Sequence, residues 1–158
     1  MVAPAAARWP PALHARLHAG APVLALSASA DGDPHSTYAC AVALDERRLR
    51  FAVDRGSATC ANLRGNACAA LVVVGTAGAN LLLGGRARLL SERIEAAAPI
   101  ALELWELEVT RSRDQSWPGV TTSELVYRWP PTQRAAMRRL ERAVFAAMRQ
   151  GGAERRGG

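Results

Sequence analysis

Apolar and polar residues alternate with period two along much of the chain, and the pattern changes to a helical period near both ends. In residues 9–20, Leu13 and Leu17 stand four apart, Pro10 and Pro11 fit a first turn and Gly20 supplies a stop. That arrangement predicts a short helix. Residues 22–29 (PVLALSAS) read as a strand that runs into a turn cluster, 30–34, with Asp31-Gly32 at its centre. Residues 35–45 continue the alternation through Tyr38, Cys40, Val42 and Leu44, and residues 48–54 through Leu49, Phe51 and Val53. Asp45-Glu46-Arg47 joins the two. Residues 57–66 interrupt the alternation, and Ser57 is a good N-cap for a short helix ending at Gly65.

Residues 67–74 and 79–90 form a second predicted hairpin across the glycines of 75–78. Residues 91–98 predict a helical turn stopped by Pro99. Residues 100–113 mix the two periods around Trp105 and are read as a strand. A loop follows at 114–122, then a brief strand at 124–129 and the Pro130-Pro131 break. Residues 132–150 carry the clearest helical pattern, with Ala136, Leu140, Ala143, Val144, Ala147 and Met148 on one face. Strands joined by hairpins, with helices at both ends, argue for a small antiparallel barrel rather than a parallel α/β sheet.

The 158 residues, 49% of them apolar, suffice for one core. One domain is therefore expected over 1–150, followed by a disordered Gly/Arg tail at 151–158. No apolar run approaches the roughly 18 residues of a membrane span, and residues 1–8 lack the regions of a secretory signal. A cytoplasmic location is expected. Cys40, Cys60 and Cys68 form no C-x-x-C pair and are read as small buried apolar residues, not as a disulfide or zinc framework. His14 and His18 have no third ligand at a telling spacing and are read as surface or boundary residues.

Every basic residue is Arg. Residues 134–158 hold seven Arg against Glu141 and Glu154, a net of +5 in a chain whose total is +6. A solvated helix face accounts for this pattern, so nucleic acid is not the expected partner. The Gly-rich dinucleotide loop, the G-x-x-x-x-G-K loop and the G-x-S-x-G elbow are all absent. What remains is a strand, a hydroxyl-rich loop and a short helix starting at Ser57. The first amides of that helix lack intrahelical partners and suit a phosphate, with Arg55, Ser57 and Thr59 alongside.

Phe51 to Leu71, FAVDRGSATCANLRGNACAAL, resembles the core motif of the pyridoxamine 5′-phosphate oxidase-related, FMN-binding split-barrel superfamily, approximately F-x-T-x-x-x-S-x-K-x-x-N-L-x-x-N-P-x-V-A-L. Phe51, Ser57, Asn62, Leu63, Asn66, Ala70 and Leu71 match at the same spacing, and the resemblance covers roughly residues 20–113. It implies a six-stranded antiparallel split β-barrel, mainly β with flanking helices. It also implies a homodimer with FMN at the subunit boundary, and an oxidoreductase acting on a small-molecule substrate. The chain departs from the motif at three places: Thr59 stands at the Lys position, Ala67 at the Pro position and Ala58 at a frequent Arg.

Carried over, the resemblance implies that Ser57 and Thr59 clasp the FMN phosphate and ribityl chain, flanked by Val53, Asp54 and Asn62. His35, Ser36, Thr37 and Tyr38 would lie near the ring. Phosphate charge would fall to Arg55, Arg64 or Arg86. Trp117, as a planar aromatic on a loop, is a candidate to stack on the flavin across the dimer, with packing within its loop as the alternative. No side chain is expected to act as acid or base, because the ring would supply the chemistry. A deazaflavin, used by some relatives, and a non-catalytic flavin- or haem-binding role are the alternatives. The C-terminal substrate motif of true pyridoxamine phosphate oxidases is absent from residues 124–142, so vitamin B6 oxidation is not expected.

Overall fold

The computed structural model describes residues 9–75 and 79–151. Helix α1 (Pro11–Ala19) precedes strands β1 (Ala21–Ala28), β2 (Pro34–Ala43) and β3 (Arg48–Asp54). Helix α2 (Ala58–Gly65) then leads to β4 (Cys68–Val74), β5 (Asn80–Ser91), a 3₁₀ turn (Glu95–Ala97), β6 (Leu102–Asp114) and α3 (Arg134–Gln150). The strands close into an antiparallel barrel in the order β1-β2-β3-β6-β5-β4, with β4 returning to β1 through Leu24↔Val72, Ala25↔Leu71 and Leu26↔Ala70. The expected six-stranded, mainly β barrel is what the chain forms.

Alternation explains the closure. Every second residue of β1 is buried, and so is every second residue of β4, so each strand turns one row of apolar side chains to the axis. Phe51, Leu71, Leu83 and Leu107 meet there with no exposed surface. Helix α1 closes one end with Trp9, Leu13 and Leu17, and α2 closes the other with Cys60 and Leu63; all five belong to the same core cluster. Each large apolar side chain buried in this way contributes about 1.5–3 kcal/mol.

Helix α3 lies on the outside, where Val144 and Met148 pack on Val42, Ala52 and Leu104 together with Ile94 and Ala97 of the 3₁₀ region. Its buried face is shorter than the sequence predicts: Ala136 and Ala143 are exposed, and only the later turns reach the barrel. Arg50 joins the helix to β3 by donating to the Met148 and Arg149 carbonyls at 2.7 and 3.0 Å, which satisfies acceptors left open at the helix end. Gly20, at φ 108°, lets α1 turn into β1 beneath Phe145. A Cβ there would stand 2.5 Å from the ring.

Two expectations are corrected. Residues 124–129 form no strand: Leu125 N–H donates to the Val74 carbonyl at 3.3 Å, and side chains make the other contacts. Arg16 pairs with Glu124 at 3.2 Å and donates to the Leu125 carbonyl, while Glu141 accepts from the Tyr127 hydroxyl and, at 3.1 Å, from Trp129 Nε1. The segment is held by its polar ends rather than by a ladder. Cys68 is exposed, because it opens β4 at an outward position opposite Arg86; Cys60 is buried and Cys40 half-buried. The predicted tail from 152 onward and residues 1–8 lie outside the described residues.

Candidate functional site

The barrel is open along one seam. Strands β2 and β3 pair only from Cys40↔Ala52 to Ala43↔Leu49, whereas β2 continues backward to Pro34 with β1 as its partner there. Alternate main-chain groups of residues 34–39 therefore face away from β1 with no strand to receive them. On the other side of the seam β3 runs on beside β6 to Asp54 and turns into α2. The seam thus brings His35, Ser36, Thr37 and Tyr38 on one edge to the same region as Val53, Asp54, Arg55 and Ser57 on the other. Tyr38 is 67% exposed, so its ring is free to meet a ligand or a partner.

The start of α2 is built for an acceptor. Ser57 caps it, its hydroxyl accepting from the Cys60 N–H at 3.3 Å, and the Ala61 N–H donates to the Ser57 carbonyl. By helix geometry the amides of Ala58 and Thr59 precede the first intrahelical bond. Arg55, just upstream, is exposed and only loosely paired with Glu92 at 3.7 Å across two solvent-facing side chains, so little is lost by turning it to an anion.

The remaining candidates are held differently. Thr59 is buried, and its hydroxyl has no hydrogen-bond partner among the described residues. Val53 points into the barrel, leaving only its main chain for a ligand. Asn62 donates to the Ser27 hydroxyl at 3.1 Å. Arg64 is engaged with Glu103 at 2.7 Å and lies 5.7 Å from the Trp105 ring centroid. Arg86 is not brought to the start of α2. It pairs in register with Glu108 of β6, whereas Asp54 pairs with Leu102, six residues along the same strand. That separation is on the order of 20 Å. Trp117 stands 74% exposed on the loop after β6, where Ser116 accepts from the Asn80 N–H.

Beneath α2 sits a buried polar cluster that the alternation did not reveal. Glu103 accepts from Arg64 and, at 3.1 Å, from the Trp105 indole. Burial pushes its carboxyl upward, but hydrogen bonds, first that from Arg64 and also that from Trp105, outweigh this and hold it below the usual range. The Cys60 thiol is pushed up, chiefly by burial, and it donates to the Asp54 carbonyl at 3.2 Å. It is a structural thiol rather than a nucleophile. The cluster fixes both ends of α2 against the barrel, and with them the seam. No set of His, Cys, Asp and Glu among the described residues could hold a metal ion.

A wider groove on the far face of the barrel is lined by Arg47, Arg48, Arg86, Arg88, Glu106 and Glu108. Arg48 pairs with Asp45 at 2.7 Å, and Glu106 takes both Arg50 and Arg88. Opposite charges alternate across β3, β6 and β5, so the face carries little net attraction for a charged ligand.

A closed antiparallel barrel with a split between β2 and β3, and a capped helix crossing its end, defines the class as a split β-barrel. The chain belongs to the pyridoxamine 5′-phosphate oxidase family, whose model matches residues 10–115. Among solved structures it is similar to HupZ of Group A Streptococcus, with 13% identity over 65% of this chain and 90% of that one and a TM-score of 0.52. It is also similar to an F420 reductase, with 13% identity over 66% and 98% of the two chains and a TM-score of 0.54. A third likeness is to a Clostridium acetobutylicum protein related to general stress protein 26 of B. subtilis, of the pyridoxinephosphate oxidase family. There the identity is 12% over 65% and 84% of the chains, and the TM-score is 0.52. No curated protein matches. No helix among the described residues is long and apolar enough to cross a membrane.

Proposed function

We propose that this protein is a flavin-dependent oxidoreductase that binds FMN between two copies of the chain and acts on a small-molecule substrate. The observation that carries the reading is the seam, where an unpaired strand edge lies beside a capped helix start and a loosely held arginine. These groups fit the two ends of a flavin mononucleotide. The Ala58 and Thr59 amides, the Ser57 cap and Arg55 suit its phosphate, and the edge of residues 35–38 suits the polar rim of a flavin ring. Thr59 and Arg64 add no free charge, so Arg55 is left as the principal cation. When bound, the flavin supplies hydride or electron transfer. The chain's own residues bind and orient it.

Dimerisation is supported by an uncovered apolar face. Leu24 and Leu26 of β1, Ala70 and Val72 of β4 and Leu82 of β5 lie on the outside in facing registers, half-buried, with Tyr38 beside them. The helices sit at the two ends and on the β2–β3 side, and none lies along β4 or β5. Burying such a face desolvates few polar groups and favours a self-complementary contact. Light scattering is expected to show a dimer for the native chain and a monomer for Val72→Arg. A monomeric native protein would remove this part of the proposal.

Titration with FMN tests the cofactor assignment. We expect one FMN per chain and a ten- to hundredfold loss of affinity in Arg55→Ala, the equivalent of a charge-assisted contact of about 1.5–3 kcal/mol. If the absorbance of FMN is unchanged by the protein while a deazaflavin or haem is taken up, the assignment of FMN fails.

A further inference from the structure

Segment 124–129 arches over the start of α3 and encloses a groove of about 530 Å³, within the range of small-molecule sites. Tyr127, Trp129 and Phe145 contribute aromatic walls, and Arg128, Arg134 and Arg138 stand around them. The Tyr127 and Trp129 rings meet edge to face at 5.3 Å. The carboxylate in this groove, Glu141, is occupied, since one of its oxygens accepts from both rings' polar ends. Arg128, Arg134 and Arg138 make no ion pair or side-chain hydrogen bond with another described residue, and the first turn of α3 contains no acid to offset them.

We propose that this groove binds a small planar aromatic molecule bearing one anionic group, such as an aryl carboxylate. Arg134 and Arg138, one helical turn apart, would take the anion, and guanidinium planes match a carboxylate in two parallel hydrogen bonds. Offset or edge contacts with Tyr127 and Trp129 would take the ring. A neutral or cationic ligand would leave the groove with three guanidiniums against the single charge of Glu141. A nonaromatic anion would forgo the walls. The groove adjoins the seam, with the Tyr127 hydroxyl 3.6 Å from the Cys40 thiol of β2, but Ser57 and Arg55 do not line it and the proposal does not depend on the flavin reading.

Calorimetry with 2-naphthoate, 2-naphthylmethanol and acetate tests the proposal on the full chain. The expected result is one 2-naphthoate per chain, with the uncharged alcohol and the ringless acetate each at least about tenfold weaker. Arg134→Ala and Arg138→Ala, both exposed and therefore tolerated by the fold, each weaken 2-naphthoate by about tenfold. Arg142→Ala, on the same helix but outside the groove, and Arg55→Ala at the seam leave it unchanged. Equal binding of the alcohol, indifference to both groove arginines, loss through Arg55→Ala, or no binding of 2-naphthoate would each overturn the proposal.

Discussion

Replacing Glu106 with alanine is expected to destabilise the protein by about 3–5 kcal/mol, the cost of leaving a buried charge without its partner. Glu106 and Arg50 lie 3.1 Å apart with side chains only 6% and 9% exposed, and Arg50 also holds the end of α3. Urea unfolding measures the loss directly. The paired replacement Arg50→Met/Glu106→Leu is expected to recover much of it, because no unpaired charge remains. Arg88→Ala is expected to cost no more than about 1 kcal/mol, because that side chain is 70% exposed. Burial pushes the Glu106 carboxyl upward, yet hydrogen bonds and charge from Arg88 and Arg50 hold it below the 4.5 of a free glutamate; Glu103 behaves likewise. A carboxylate held low in the folded state adds stability above the unfolded value, and the gain is lost as pH falls through the folded one. Stability should therefore decline below about pH 4.5, and less steeply in Glu106→Ala. A stability that does not change as the pH falls from about 5 to about 2 would contradict this account.

Gly85→Ala is expected to be the most damaging added methyl among the described glycines. The added Cβ would stand 1.8 Å from the Glu108 carbonyl oxygen and 2.8 Å from its carbon, both main-chain atoms of the neighbouring strand. The register between β5 and β6 shifts between Gly84 and Gly85, so the two backbones approach closely at a bulge. Relief requires parting the most extensively paired strands of the barrel. A loss at or beyond the upper end of the usual 1–3 kcal/mol for overpacking is expected, with little soluble protein. Gly84→Ala is the control. Its nearest neighbour, 3.3 Å away, is the flexible end of Arg111, so it should express and melt close to the native chain. Equal behaviour of the two variants would show that the close approach has no energetic role.

The strands were legible because the barrel interior selects alternate residues, and helix α2 because a serine cap breaks that alternation. Legibility failed where burial came from something other than the barrel axis. Arg50, Glu103 and Glu106 are charged residues within strands, and their residue types give no sign of burial. They are buried because α3 covers one side of the sheet and α2 covers one end, contacts made between distant parts of the chain. The run at 124–129 has strand-forming residues but joins no edge of the barrel, and side-chain bonds to Arg16 and Glu141 hold it instead. The Ser57 cap of α2 was legible in the sequence, and Arg55 stands just before it. The motif carried no information on which hydroxyl is buried or which guanidinium is already paired, as Thr59 and Arg64 show.

A crystal structure of the protein grown with FMN would examine the seam most directly. The phosphate should lie within hydrogen-bond distance of the Ala58 and Thr59 amides with Arg55 turned from Glu92 toward it, and the ring along residues 35–38 beside a second copy of the chain. Flavin density elsewhere, or a seam closed by protein side chains at saturating FMN, would contradict it.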